Sequence, residues 1–302
     1  MDMHTQTRAV EVTAADGRRL EVVAAGPANG LAFILHSGTP AGPVPFPPMI
    51  EAAAARGLRT ILYARPGYAG STPQPGRTVA DAAGDVAAIL DALGHDQFVT
   101  AGWSGGGPHA LACAARLAGR CRAAATIAGV APYHAAGLDW LAGMAPENVA
   151  EFGTAVAGEA PLTQFLDQAA DHLRTVTGKQ VAAALGGLVS AVDTAVLTDE
   201  FADFVAAGFR AALESGIAGW RDDDLAFVRP WGFALEGLIV TPVAVWQGGQ
   251  DRMVPGDHGR WLAGHLPGAH PHVLPDEGHL SLPLGAFGTI LDDLLELSGA
   301  AP

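Results

Sequence analysis

Ser104 stands among glycines in "AGWSGGGPHALACAARLA" (residues 101–118), and the chain runs on from there into an alanine-rich stretch. The segment "GWSGG" fits G-x-S-x-G, which marks a nucleophile elbow when a strand precedes it and a helix follows. Such a turn is so sharp that flanking side chains would collide, and this accounts for Gly102, Gly105 and Gly106. A helix starting here would also bring backbone N–H groups and the positive end of its dipole to the serine. The competing reading is an ordinary glycine-rich turn that happens to include a serine. The rest of the chain discriminates between the two.

A serine hydroxyl is a weak nucleophile until a base accepts its proton. Of the eleven histidines, position selects His279, which follows the short strand-like run "PHVLP" in "LPDEGHLSL". His36 opens the loop after "LAFIL" and comes too early for this order of parts. His258, His265, His270 and His272 are irregularly spaced and lack the ligand spacing of a metal centre. They read as surface or loop-packing residues, and neither a metal nor a cofactor is expected. The base in turn needs an orienting carboxylate. Asp251 in "WQGGQDRMVP" follows the run "PVAVWQG" directly, although a turn aspartate capping the next helix would look the same. Asp139 and Asp276 are the alternatives. A tetrahedral oxyanion needs N–H donors: one is expected from Gly105, the other from Gly38 or Thr39 in "HSGTPAGP".

These residues must be carried by elements that bring them to one place. "RAVEVTAADGRRLEVVAAG" alternates on both sides of Asp16-Gly17, a favoured hairpin turn pair. Short apolar runs then end in glycine-rich loops: "LAFIL" (31–35), "RTILYA" (59–64), "QFVTAG" (97–102), "AAATIAG" (123–129) and "PVAVWQG" (242–248). Continuous apolar strands of this kind are buried on both faces, as in a parallel sheet. Helical stretches such as "PPMIEAAAARG", "TVADAAGDVAAILDALG" and "GGPHALACAARLAG" separate them, and "LGAFGTILDDLLEL" closes the chain. This alternation predicts a βαβ-type α/β domain. Residues 133–218 break it with helical patterns and no strand, the expectation for a helical lid inserted in a core of residues 1–132 and 219–302.

With its parts in the chain order Ser, Asp, His, and with "HSGTP", "ARPGYAGS", "GWSGGG", "GGQDRMVP" and "EGHLSL" in sequence, the chain resembles the α/β-hydrolase superfamily over nearly its whole length. The resemblance implies an eight-stranded, mostly parallel sheet with helices on both faces and a helical cap after the sixth strand. It also implies a Ser104–His279–Asp251 triad and no cofactor. The general look is that of the proline iminopeptidase-like and small-ester hydrolase groups. A serine at the elbow speaks against the dehalogenase and epoxide-hydrolase branches, whose nucleophile is a carboxylate. One departure from the pattern is the oxyanion loop: the usual His-Gly-x-Pro is here "HSGTP", with Ser37 inserted after His36.

Composition narrows the partners. Half the residues are apolar and 16% are charged, with a net charge of −14 and no basic cluster. Such a surface repels phosphate backbones, so nucleic acid is not an expected partner. Cys113 and Cys121 form no disulfide framework and read as small buried hydrophobes. "MDMHTQTRAVEV" lacks the basic start and apolar core of a signal peptide, and no run has the roughly 20 apolar residues that span a bilayer. The expected setting is cytoplasmic and the expected partner a small-molecule substrate; oligomeric state is not legible.

The substrate pocket is the least determined part. Trp103 either walls it or packs beneath the elbow. "GWRDDDLAFVRPWGF" (219–233) offers Asp222, Asp223 and Asp224, which either bind a substrate amine or cap a helix N-terminus. Arg229 pairs with one of those acids or with a substrate carboxylate, and Trp231 is a further pocket candidate. The leading expectation is hydrolysis of a small ester or amide through an acyl-enzyme. An aminopeptidase of the proline iminopeptidase kind is the alternative. Other options on the same scaffold are a small-molecule receptor with slow or vestigial hydrolysis, carbon–carbon bond hydrolysis and cofactor-free oxidation.

Overall fold

The alternation around Asp16-Gly17 becomes a hairpin: β1 (Arg8–Thr13) pairs antiparallel with β2 (Arg19–Ala25), and Gly17 takes φ 85° in the turn. The computed structural model describes residues 7–185 and 189–300. The first six residues of the N-terminal stretch considered above therefore lie outside the described ones. Each apolar run forms a strand: β3 (Leu31–His36), β4 (Leu58–Tyr63), β5 (Phe98–Trp103), β6 (Cys121–Ile127), β7 (Val243–Gly248) and β8 (His270–Leu274). They make one eight-stranded sheet in the order β1-β2-β4-β3-β5-β6-β7-β8. β2 meets β4 antiparallel, and every pairing from β4 to β8 is parallel.

Both faces are covered, as continuous apolar strands require. Met49 and Ala53 of α1 (Pro47–Ala54) pack on one face with Ile290, Leu291 and Leu294 of the C-terminal helix. The other face carries α2 (Ala82–Leu93) and α3 (Gly107–Arg116) through Val86, Ile89, Leu90 and Leu111. Between β6 and β7 the chain adds only helices among the described residues: α4 (Pro146–Ala157), α5 (Glu159–Leu173), α6 (Gly178–Leu185), α7 (Ala191–Val196), α8 (Asp199–Ala212) and α9 (Ala218–Phe227). The remaining α-helices among the described residues are α10 (Gly256–His265) and α11 (Ser281–Ser298).

The strand order decides where a ligand can bind. β3 lies between β4 and β5, so the connections leaving β3 and β4 run in opposite directions across the sheet. In open α/β sheets the crevice beyond the carboxyl ends of strands at such a reversal is the binding position. The loop holding Gly38 follows β3, Ser104 follows β5, Asp251 follows β7 and His279 follows β8. Among the described residues no helix is long and apolar enough to cross a membrane.

Candidate active site

Ser104 is one of the few non-glycine residues with positive φ, at 55°. A side chain held in this left-handed region is strained, and such strain persists only where the surroundings enforce it. Here the turn between β5 and α3 enforces it. A Cβ at Gly102 would strike the Gly106 carbonyl, and one at Gly106 would strike the His36 carbonyl. The close approach of backbone to backbone is therefore what these two glycines permit. The result is a serine lining a cavity.

His279 is 2% exposed and Asp251 5%. The His279 ring Nδ1 donates to Asp251 Oδ2 at 2.8 Å. Asp251 Oδ1 accepts from the backbone N–H groups of Met253 and Val254 at 2.9 and 2.8 Å, and Gln247 Nε2 donates to Oδ2 at 3.3 Å. These donors fix the carboxylate, and the carboxylate fixes the ring. Burial disfavours the imidazolium, but the charge and hydrogen bond of Asp251, with the charge of Asp193, outweigh it and raise the His279 pKa above its ordinary value. The alternative acids Asp139 and Asp276 are exposed on the surface.

Of the two roles considered for Trp103, the structure shows it lining the cavity. Its ring centroid is 5.8 Å from that of His279, and its Nε1 donates to the His279 carbonyl at 3.1 Å. Ser104 and His279 line the same cavity of about 130 Å³, together with Ser37, Gly38 and Thr39. A Cβ built on Gly38 would sit 3.5 Å from Ser104 Cβ, so this loop lies directly against the serine. Apart from His36 the rest of the lining is apolar, with Leu35, Phe46, Met49 and Leu62 from the core side, and Leu185, Phe204, Val205 and Phe209 from α6 and α8. Among the described residues no Asp, Glu, Lys or Arg lines it.

The acidic run lies elsewhere. Asp222, Asp223 and Asp224 occupy the middle of α9, are all buried, and do not line the cavity. They cap no helix N-terminus, because α9 begins four residues earlier at Ala218. Asp223 is an internal counterion: Arg65 Nη2 and Arg77 Nη1 each reach it at 2.6 Å, Tyr68 Oη donates at 2.8 Å and Thr39 Oγ1 at 2.9 Å. Burial would raise its pKa; the two guanidinium charges and the proximity of His109 outweigh this and hold it far below the usual carboxylate range. Asp224 has no such partners. Burial and the neighbouring Glu151 carboxyl push its pKa well up. Asp222 accepts from Arg221 Nε at 2.9 Å. Arg229 is exposed, and Trp231 is packed in the core with its Nε1 donating to the Phe227 carbonyl. None of these five residues lines the cavity: Asp223 faces Arg65 and Arg77, Asp222 faces Arg221, Asp224 faces Glu151, Arg229 is exposed and Trp231 is packed in the core.

Arg65 and Asp193 received no role from the sequence. Arg65 donates to the carbonyls of Ser37 and Gly38 at 2.6 and 2.9 Å, so the Arg65–Asp223 pair holds the loop beside Ser104 from behind. Its only signal was its place in "ARPGYAGS". Asp193 lies in α7 and accepts from the backbone N–H of His279. Ser190-x-x-Asp193 is legible as a local helix start, but nothing local points toward residue 279. The other histidines stay apart: His258 is buried, with its Nε2 donating to the Trp140 carbonyl and its Nδ1 accepting from Ala131 N. No group of three or more metal-ligating residues occurs among the described residues. Cys113 and Cys121 are both buried and free.

Comparison with known proteins agrees with this architecture. A family whose description reads alpha/beta hydrolase fold matches residues 32–286. No curated protein matches the sequence. Among solved structures, an alpha/beta hydrolase fold protein from Nakamurella multipartita is 25% identical with a TM-score of 0.64, covering 97% of this chain and 100% of that one. An enol-lactonase from Burkholderia xenovorans LB400 is 21% identical with a TM-score of 0.65, covering 95% and 100%. An esterase from Rhodococcus sp. ECU1013 is 18% identical with a TM-score of 0.65, covering 97% and 99%.

Proposed function

This chain belongs to the alpha/beta hydrolase fold family, and from that premise we propose that it is a serine hydrolase acting through an acyl-enzyme on small, uncharged, apolar carboxylic esters. The observation that carries the proposal is one cavity onto which Ser104 and the Asp251-bound His279 both open, with a mostly apolar lining that holds no Asp, Glu, Lys or Arg among the described residues. Ser104 Oγ attacks the ester carbonyl carbon while His279 Nε2 takes its proton. The oxyanion accepts hydrogen bonds from the amide of Gly105 and from one in the Gly38–Thr39 loop. Collapse breaks the C–O bond to the leaving alcohol, which receives the proton from His279. Water then repeats the sequence on the acyl-enzyme, with His279 again as base, and releases the acid.

The lining also supports a choice of substrate. An amine in a pocket without a counter-charge keeps the full cost of leaving water, and Asp222, Asp223 and Asp224 are engaged by Arg221, by Arg65 and Arg77, and by Glu151 respectively. This favours esters over peptide N-termini. Engineered apolar cavities of about 150 Å³ hold a benzene-sized guest, which matches a short acyl chain or a single ring. The helices of residues 133–218 serve as the lid, and the cavity-lining side chains of α6 and α8 support that role.

Labelling with a fluorophosphonate tests the reading. Wild type is expected to be labelled and Ser104→Ala is not; an unlabelled wild type, or a label elsewhere, would sink the acyl-enzyme. p-Nitrophenyl butanoate should then be turned over far faster than aminoacyl anilides.

A further inference from the structure

We propose that Asp193, carried by the inserted helices, is a positioning residue for His279, so that seating the lid assembles the base. The inference rests on the assignment of His279 as base. α11 starts two residues after this histidine, and its N-cap, Leu280, has no side chain able to accept from the free N–H groups of the first turn. Asp193 supplies that acceptor from 86 residues upstream. Its Oδ2 accepts from His279 N at 2.9 Å, and its Oδ1 accepts from Leu280 N at 2.7 Å and Ser281 N at 2.9 Å. Ser190 Oγ donates to Oδ2 at 3.0 Å and steers the carboxylate. A carboxylate has about four acceptor sites, so these four donors saturate it. Hydrogen bonds to an ionised acceptor are about twice as strong as neutral ones, and Asp193 is fully buried. A Cβ on Gly278 would strike this carboxylate, so the close approach depends on glycine there.

The placement goes beyond helix capping because one of the three amides is that of His279 itself. The histidine is thereby held at three points: its N–H by Asp193, its carbonyl by Trp103 and its Nδ1 by Asp251. Nε2 is the ring atom that Asp251 leaves available for the serine in the proposed attack. The charged groups acting on the imidazole are Asp251, from the loop between β7 and α10, and Asp193, from α7; Trp103 is neutral. Both carboxylates favour the imidazolium that forms during attack. α8, which follows α7 at once, carries Phe204, Val205 and Phe209 into the cavity wall. A lid displaced far enough to open that wall would carry α7 with it and release the first of the three holds. Occupancy of the pocket and alignment of the base are in this way joined through one side chain.

The test compares wild type, Asp193→Asn and Ser190→Ala. In Asp193→Asn the kcat for p-nitrophenyl butanoate and the rate of fluorophosphonate labelling should fall on the order of 100-fold, with KM changed less than about threefold, as for a misplaced catalytic group. The His279 imidazole, followed by NMR, should titrate at lower pH than in wild type, and the acid limb of kcat/KM should move the same way. A residue that merely stabilised the fold would not shift that titration. Ser190→Ala keeps the carboxylate and should show a smaller change in the same direction. A folded Asp193→Asn enzyme with wild-type titration and a rate within about threefold of wild type overturns the inference. Should Asp193→Asn fail to fold, an unchanged rate and unchanged titration in Ser190→Ala overturn it instead. If wild type is never labelled at Ser104, the hydrolase reading fails, while the His279 titration still judges the role of Asp193.

Discussion

Asp223 and Asp224 are neighbours in α9, both fully buried, yet their replacement by asparagine is expected to act with opposite sign. Asp223→Asn removes the anion that Arg65, Arg77, Tyr68 and Thr39 all address, and leaves two buried guanidinium groups without a counter-charge. Breaking a buried pair from one side costs about 3–5 kcal/mol, which for a chain of this size lowers Tm on the order of 10 °C. Asp224→Asn instead removes a carboxylate that faces Glu151 and meets no donor, so stability at neutral pH should hold or rise.

The pH dependence separates the two further. Asp223 has its pKa depressed on folding, so its contribution is complete above the unfolded value of about 3.9 and falls by about 1.4 kcal/mol per pH unit below it. The Asp223→Asn deficit should therefore narrow in acid. Asp224 has its pKa raised, so its penalty develops as pH rises above about 3.9 and is complete beyond the raised value. The Asp224→Asn gain should accordingly be present near pH 8 and vanish near pH 4. Urea unfolding followed by tryptophan fluorescence at pH 8, at pH 4 and at about pH 2.5 reads both trends. A loss below about 1 kcal/mol for Asp223→Asn at pH 8, or an equal loss for both variants, would refute the assignment of Asp223 as the counterion of two arginines.

Two other expectations follow from the geometry of the site. Because attack needs neutral His279 and its pKa is raised above 6.5, kcat/KM should fall in acid with a midpoint above that value; Asp251→Asn should move the midpoint down and lower kcat about 10⁴-fold, and an unmoved midpoint in a pH–rate series would mean that another acid orients the ring. Gly105→Ala would bring a Cβ to 2.8 Å from Thr39 Cβ and 3.1 Å from the Phe227 ring, pushing the Gly38–Thr39 loop away from Ser104, so kcat should drop about 10²–10³-fold with the fold retained by circular dichroism; full activity would place the oxyanion amides elsewhere.

Much of the frame was legible because it is written locally. The strands from β3 to β7 are short apolar runs leading into glycine-containing loops, and the turn at Ser104 is spelled by residues that touch each other in sequence. The order Ser104, Asp251, His279 and their positions just beyond strand ends follow from those same runs. The acidic run shows the limit of local reading. Three adjacent aspartates resemble a helix start or an amine site, but α9 begins at Ala218, and Asp223 is explained by Arg65 and Arg77, 158 and 146 residues earlier.

Trp103 was ambiguous for the same reason: whether an indole faces a cavity or a neighbour depends on what the fold sets opposite it, here the His279 carbonyl. Sequence by itself determined the alternation of elements, the sharp turn and the types of side chain available for chemistry, since propensity, turn sterics and periodicity act over a few residues. Only the tertiary structure decided which carboxylates hold His279, which holds the loop at Gly38, and that no Asp, Glu, Lys or Arg among the described residues lines the cavity. Hydrogen bonds and ion pairs act over about 3 Å in space, and the distances along the chain between these partners carry no trace of that.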